Sequence, residues 1–258
     1  MMVADLKRIA LRGNIWFLGC LIMSLLLPFL LFAMGSVTLS EDGWTRREMI
    51  SNEFLRVIIE PNLFFFLIFS AIITLVISEE SSGGKYGQGT IKNVISSGFS
   101  RTKYYFAKSL TVITIGFIFY FLNVMIGILL GSTINGFGEI FSDDIFLIIP
   151  IQLFAFIGVL SLCISLAFLI SRTEIFIQVF FVLLLGPLYV SNLLGQFFEG
   201  NAIIARIGSF DLLSIFTRFS HVNDMSTGDL LSNLLTVLAY IIIPTVIGLT
   251  VFNRREIK

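Results

Sequence analysis

Six stretches of this chain run for 17 to 26 residues without a single Asp, Glu, Lys, Arg or His. They cover residues 15–35, 62–78, 110–134, 145–170, 175–195 and 232–252. A helix needs about 20 apolar residues to cross the hydrocarbon core of a bilayer, and 17 is near the lower limit. In lipid the backbone must satisfy its own hydrogen bonds, which leaves α-helices for segments of this length. The expected fold is therefore an all-α membrane protein with six transmembrane helices, read as one membrane domain over residues 1–258. The charged fraction of 13% agrees, since soluble domains carry roughly 25%.

Composition removes several function classes. Formal net charge is zero, so no global field draws in nucleic acid. Cys20 and Cys163 both sit inside apolar runs and read as small buried hydrophobes, not a disulfide framework. With His221 the only histidine, a histidine-based metal site or an intramembrane enzyme has no residues to build on, so no catalytic, cofactor-binding or metal-ligating set is expected. The 28 phenylalanines read chiefly as lipid-facing bulk and core filler. No internal repeat is visible.

Basic residues set the direction of the spans. With both termini on one side, that side holds twelve of the seventeen Lys and Arg residues and the other holds five: Arg46, Arg47, Arg56, Arg206 and Arg218. Both termini are expected in the cytoplasm of a plasma membrane. The first apolar stretch is longer than the core of a secretory signal, so it reads as an uncleaved span. Ahead of it, Val3, Leu6, Ile9 and Ala10 recur at near-helical spacing among Lys7, Arg8 and Arg12, which predicts an amphipathic helix on the inner membrane surface.

Between spans, the first outer loop offers Thr45-x-x-Glu48 as a capping box for a short helix carrying Met49, Phe54, Val57 and Ile58. The last outer loop has partly apolar pieces around residues 202–207 and 212–219, expected as short extracellular helical elements, then a turn near Ser226-Thr227-Gly228. Gly186-Pro187 should break or kink the fifth span, and Pro28 and Pro244 are candidates for the same in theirs.

The longest polar stretch, SEESSGGKYGQGTIKNVISSGFSRTKYYFAKS, carries five of the basic residues and five glycines. It is not a phosphate loop. Aligned on Gly84-Lys85, Glu79 stands where the first glycine belongs and Tyr86 where Ser or Thr belongs. Mechanics explains it better. Residues 90–97 make about two helical turns, with Thr90 to cap the start and Gly98 suited to the left-handed position past the end. Ile91, Val94 and Ile95 fall at i, i+3 and i+4, opposite Lys92, Asn93 and Ser96. Ser100 can cap a further helix that starts at Arg101 and enters the third span. Two isolated turns are unstable in water, so the apolar face must pack on its own bundle or on another protein. The predicted shape is a docking knob beneath two spans.

These residues carry a resemblance. The run from Gly89 to Asn93, then Ser100-Arg101, the Tyr104-Tyr105 pair and Lys108, resembles the inner-loop signature of type-2 ABC transporter permeases, most closely the bacitracin- and lantibiotic-type peptide exporter and immunity branch. The acidic residue that usually precedes the run is matched by Glu79 or Glu80 only with loose spacing. The resemblance implies a permease subunit with no ATPase activity of its own, paired with a second permease subunit, alike or different. It implies separate ABC ATPase subunits that bind the ATP, so no cofactor is expected on this chain. The short helix would be the cytoplasmic coupling helix, docking the ATPase through Thr90, Ile91, Lys92, Asn93, Val94, Ile95 and Arg101. The substrate it implies is an antimicrobial peptide or hydrophobic drug, exported for immunity or resistance.

Polar residues inside the spans are candidates for a substrate path: Asn123, Gln152, Gln178 and, nearer the end of the fifth span, Asn192. Such amides also serve as interhelical glue. Gly127-x-x-x-Gly131 and Ser161-x-x-x-Ser165 permit close helix approach, within one subunit or between two. The competing reading is a stand-alone secondary transporter or channel. Proton or ion coupling usually needs ionisable residues inside spans, and the six runs have none.

Overall fold

The computed structural model describes residues 22, 37–40, 43–46, 77, 90–135, 145–170, 172–197, 211–219, 222 and 225–254. The amphipathic N-terminus, nearly all of the first two expected spans, the outer helix after Met49 and Pro28 lie outside the described residues.

A two-stranded antiparallel hairpin comes first, β1 (Val37–Ser40) and β2 (Gly43–Arg46), with Thr38 opposite Thr45 and Val37 opposite Arg46. This corrects the capping box expected at Thr45. A helix starting there needs Arg46 in helical conformation, and Arg46 is extended and paired across the hairpin. Threonine serves an N-cap and a β-branched cross-strand pair equally well, and here the pair prevails.

The other elements are helices: α1 (Thr90–Ser96), α2 (Arg101–Asn135), α3 (Ile145–Leu169), α4 (Thr173–Phe197), α5 (Leu212–Phe219) and α6 (Thr227–Arg254). Among the described residues three helices are long and apolar enough to cross a membrane, Arg101–Ile126, Phe146–Leu169 and Thr227–Arg254, and Glu174–Pro187 is a shorter apolar helix. At 1.5 Å per residue, the 35 residues of α2 extend about 50 Å, longer than a bilayer core. α2 therefore runs from the basic stretch Arg101–Lys108 straight into the third span, as the cap at Ser100 predicts.

Local chemistry fixes the helix starts. Ser100 accepts the Lys103 N–H on its Oγ at 3.3 Å, as expected for the cap of α2. At α6 the Asp229 N–H donates to Ser226 Oγ at 3.2 Å while Ser226 Oγ donates to Asp229 Oδ2 at 2.7 Å. That reciprocal cap starts the helix at Thr227, so the turn expected at Ser226-Thr227-Gly228 is instead the first turn of α6. Both α4 and α6 run on through Pro187 and Pro244 without interruption, so Gly186-Pro187 does not break its span. Only one ladder bond is lost at each proline, and the rest of the helix is held by its own backbone.

α3 is the centre. Its Ala155, Phe156, Val159, Leu160, Cys163, Ile164, Ala167 and Phe168 are buried along its whole length. α6 packs closely along it where side chains are small. A Cβ added to Gly158 would lie 3.4 Å from Val237 Cγ1, and one added to Gly248 would lie 3.0 Å from Ser165 Cα and Cβ. Ser165 thus serves packing inside this subunit, which settles for that residue what the small-residue spacing left open. On its outward side α6 exposes Leu231, Leu235, Leu238, Ile242 and Val246, a stripe suited to lipid and unsuited to water.

Candidate functional site

α1 is seven residues long and cannot stand alone. Its apolar face is covered by its own bundle. Ile91 is buried in the core cluster, and Val94 and Ile95 pack half-buried against that cluster. What faces outward is a polar edge, Asn93, Ser96 and Ser97, followed by Gly98, Phe99 and Ser100. Phe99 is 42% exposed, an uncovered aromatic at the tip of the turn.

The end of α1 is fixed by its backbone. Gly98 has φ of 91°, a conformation that L-residues with a side chain resist. The Gly98 N–H donates to Ile95 O at 3.0 Å and the Phe99 N–H to Val94 O at 3.3 Å. This pair of bonds is a Schellman motif, and it closes the helix where the glycine predicts. Ser97 Oγ also donates to Val94 O at 2.8 Å, a second bond to the same carbonyl. Ser100 then starts α2 at once, so α1 and the first turn of α2 form one continuous hook.

The hook is fastened at its root. Arg101 Nη1 donates to Asn253 O at 2.7 Å and to Phe252 O at 3.4 Å, capping the last carbonyls of α6. A guanidinium suits that place, where helix carbonyls lack partners and the dipole is negative. Beneath it Tyr104 stacks on Phe252 with centroids 6.0 Å apart, Phe168 lies 4.8 Å from Phe252, and Tyr105 lies 4.6 Å from Phe168. Ser165 Oγ donates to Ser161 O at 2.8 Å, so Tyr105 Oη, 3.2 Å away, is the donor to Ser165 Oγ. Lys108 is fully buried, its ammonium 5.9 Å from the centre of the Tyr104 ring. These contacts put α1, the start of α2 and the ends of α3 and α6 at one end of the bundle, as a chain that alternates sides requires.

Several expected site residues sit differently from the sequence reading. Ile91 is buried, Val94 and Ile95 pack half-buried against the bundle, and Arg101 reaches the end of α6, while Asn93 is on the open edge. Thr90 and Lys92 lie within α1. Tyr104 and Tyr105, expected at interface depth, are buried between helices. Among the polar span residues, Asn123 and Gln152 are buried, with Tyr120 Oη 3.4 Å from Gln152 Oε1 and the Tyr120 ring stacked on Phe156. Gln178 is exposed on α4, and Asn192 lies further along the same helix. The link from Arg101 to the end of α6 was missed; its sequence signal is slight, an arginine at a helix start and a C-terminal helix end with carbonyls to cap. Among the described residues no cluster of His, Cys, Asp or Glu could hold a metal ion.

A family model described as ABC-2 family transporter protein matches residues 11–196, well over half of the chain and inclusive of the whole hook. No curated protein and no solved structure matched the chain.

Proposed function

The chain belongs to the ABC-2 family of transporter proteins, and from that membership of a multi-pass membrane permease family we propose that it is the transmembrane subunit of an ATP-driven exporter worked by a separate ABC ATPase subunit. The observation that carries the mechanical part is the placement of α1. Its apolar face is held by the bundle, and its polar edge with Phe99 is left open at the end where basic residues concentrate. A short rigid element fixed on one side and uncovered on the other can receive a push without unfolding. The excess of basic residues at that end supports a cytoplasmic location for it and for both termini.

In this reading the ATPase meets Asn93, Ser96, Ser97 and Phe99 directly, while Ile91, Val94, Ile95 and Arg101 hold the surface that it meets. Two permease subunits, alike or different, complete the pathway. The substrate class is an antimicrobial peptide or a hydrophobic drug, a reading supported by the inner-loop resemblance. Of the polar span residues, Gln178 is exposed and open to a substrate or a second subunit, whereas Asn123 and Gln152 are buried within the subunit. Work then passes as a difference in binding energy between two states of the ATPase pair.

The test is copurification of the chain with candidate ATPase subunits. Phe99→Ala with Asn93→Ala is expected to lose the ATPase while the permease stays folded. Retention of the ATPase by that double variant, or transport by the purified permease alone, would contradict the proposal.

A further inference from the structure

We propose that Arg101 is a positioning residue that clamps the hook to the end of α6, so that α6 and α3, rather than α2 alone, are the elements driven when α1 moves. The inference rests on the permease reading above and deepens it.

Three separate contacts support it. The guanidinium of Arg101 bridges 151 and 152 residues of sequence to Phe252 O and Asn253 O. Charge-assisted bonds of this kind, aimed at the negative end of a helix, are among the stronger ties available at a membrane surface. Directly below, Tyr104, Tyr105, Phe168 and Phe252 pack as one aromatic group drawn from α2, α3 and α6. Deeper still, Gly248 brings α6 so close that an added Cβ would lie 3.0 Å from both Ser165 and Tyr105 Oη. Tyr105 donates to that same Ser165. A rotation of α1 that kept α6 still would have to pull the guanidinium off two carbonyls and separate four packed rings. Packed groups of this density respond by moving together, not by deforming. Arg101 belongs to the hook and touches α6 through directional bonds.

The experiment labels Thr102 and Asn253, both exposed, with spin probes through introduced cysteines, Cys20 and Cys163 being replaced by Ala. Distances are read by double electron–electron resonance in nanodiscs, on the permease alone and with its ATPase and ATP. One narrow distance, unchanged by ATP, is expected. Arg101→Gln is expected to lose the single narrow distance, and Arg101→Lys, which keeps a cation at the carbonyl end, to retain it. A broad distance in the unsubstituted chain, or a narrow one in Arg101→Gln, overturns the clamp. A second readout places an environment-sensitive dye on exposed Ser232 at the far end of α6. The complex should show an ATP-dependent fluorescence change, and Arg101→Gln, compared in complexes that retain the ATPase, should lose that change while Arg101→Lys keeps it. A response like that of the unsubstituted chain contradicts the clamp. Failure of any ATPase to bind tells against the permease reading instead, and leaves the distance measurement to decide the clamp on the permease alone.

Discussion

The bundle carries a short amphipathic helix at each end, and the two are tied down differently. α1 and α5 both bury an apolar face; α5 sets Leu212, Ile215, Phe216 and Phe219 against its neighbours, chiefly α3 and α4. Several polar ties around α5 are local. Asp211 caps it, accepting the Ser214 N–H at 3.0 Å and Ser214 Oγ at 2.7 Å, and Ser226 caps the start of α6 from three residues away. Arg218 Nη1 reaches Asn233 Oδ1 only at 3.4 Å. At the α1 end the ties cross long distances in sequence, Arg101 to Asn253 and Tyr105 to Ser165. A bond within one element survives when elements part, whereas a bond between elements must break. The α1 end is thus joined across elements by Arg101 and Tyr105, while α5 is held in part by caps within its own helix.

That contrast can be broken first at Ile91. Ile91→Asp places a carboxylate in the core beneath the hook and is expected to cost on the order of 3 kcal/mol or more, seen as a large fall in thermal midpoint in nanodiscs. An unchanged midpoint would show that the apolar face of α1 is not held by the bundle. Next comes Gly248→Val. Overpacking a close helix contact typically costs about 1–3 kcal/mol, and Ser165→Ala should not rescue it, because the Ser165 Cα is itself at the contact. Full rescue would mean that α3 and α6 are not in close backbone approach there.

Asp211→Ala tests the other end. Loss of an N-cap is expected to cost about 1 kcal/mol, with Asp211→Asn milder, and the hook should be unaffected: the Thr102–Asn253 distance stays narrow. A broadened distance would join the two ends that the contacts keep apart. The smallest stability effect belongs to Asn93→Ala with Phe99→Ala, within about 0.5 kcal/mol of the parent, since both residues are exposed. Its effect appears only in copurification of the ATPase, where loss is expected.

How much of this could be read from sequence follows from what each pattern encodes. The uncharged run at residues 145–170 became α3 (Ile145–Leu169) almost unchanged, because exclusion of charge over a bilayer's width leaves few other outcomes. Gly98 and Ser100 marked the end of one helix and the start of the next, since each satisfies backbone groups within a few residues of itself. What failed was non-local. The spacing of Ile91, Val94 and Ile95 says that a face needs cover, and nothing in it says which surface provides the cover. The pairing of Arg101 with Asn253 depends on how far α6 runs and at what angle, neither of which a local pattern holds. The start of α2 at Arg101, by contrast, was legible from the Ser100 cap. At Thr45 the local signal was ambiguous, since the same side chain suits a cap and a strand.

The central claim, that α1 is held from within on one face and pushed from without on the other, is tested most directly by photo-cross-linking. A photoreactive amino acid at position 93 is compared with the same residue at position 91, in membranes containing the permease and its ATPase. The account predicts that position 93 yields a product with the ATPase subunit, in an amount that changes with ATP, and that position 91 links only within the permease chain. No ATPase product at 93, or one at 91, would contradict it.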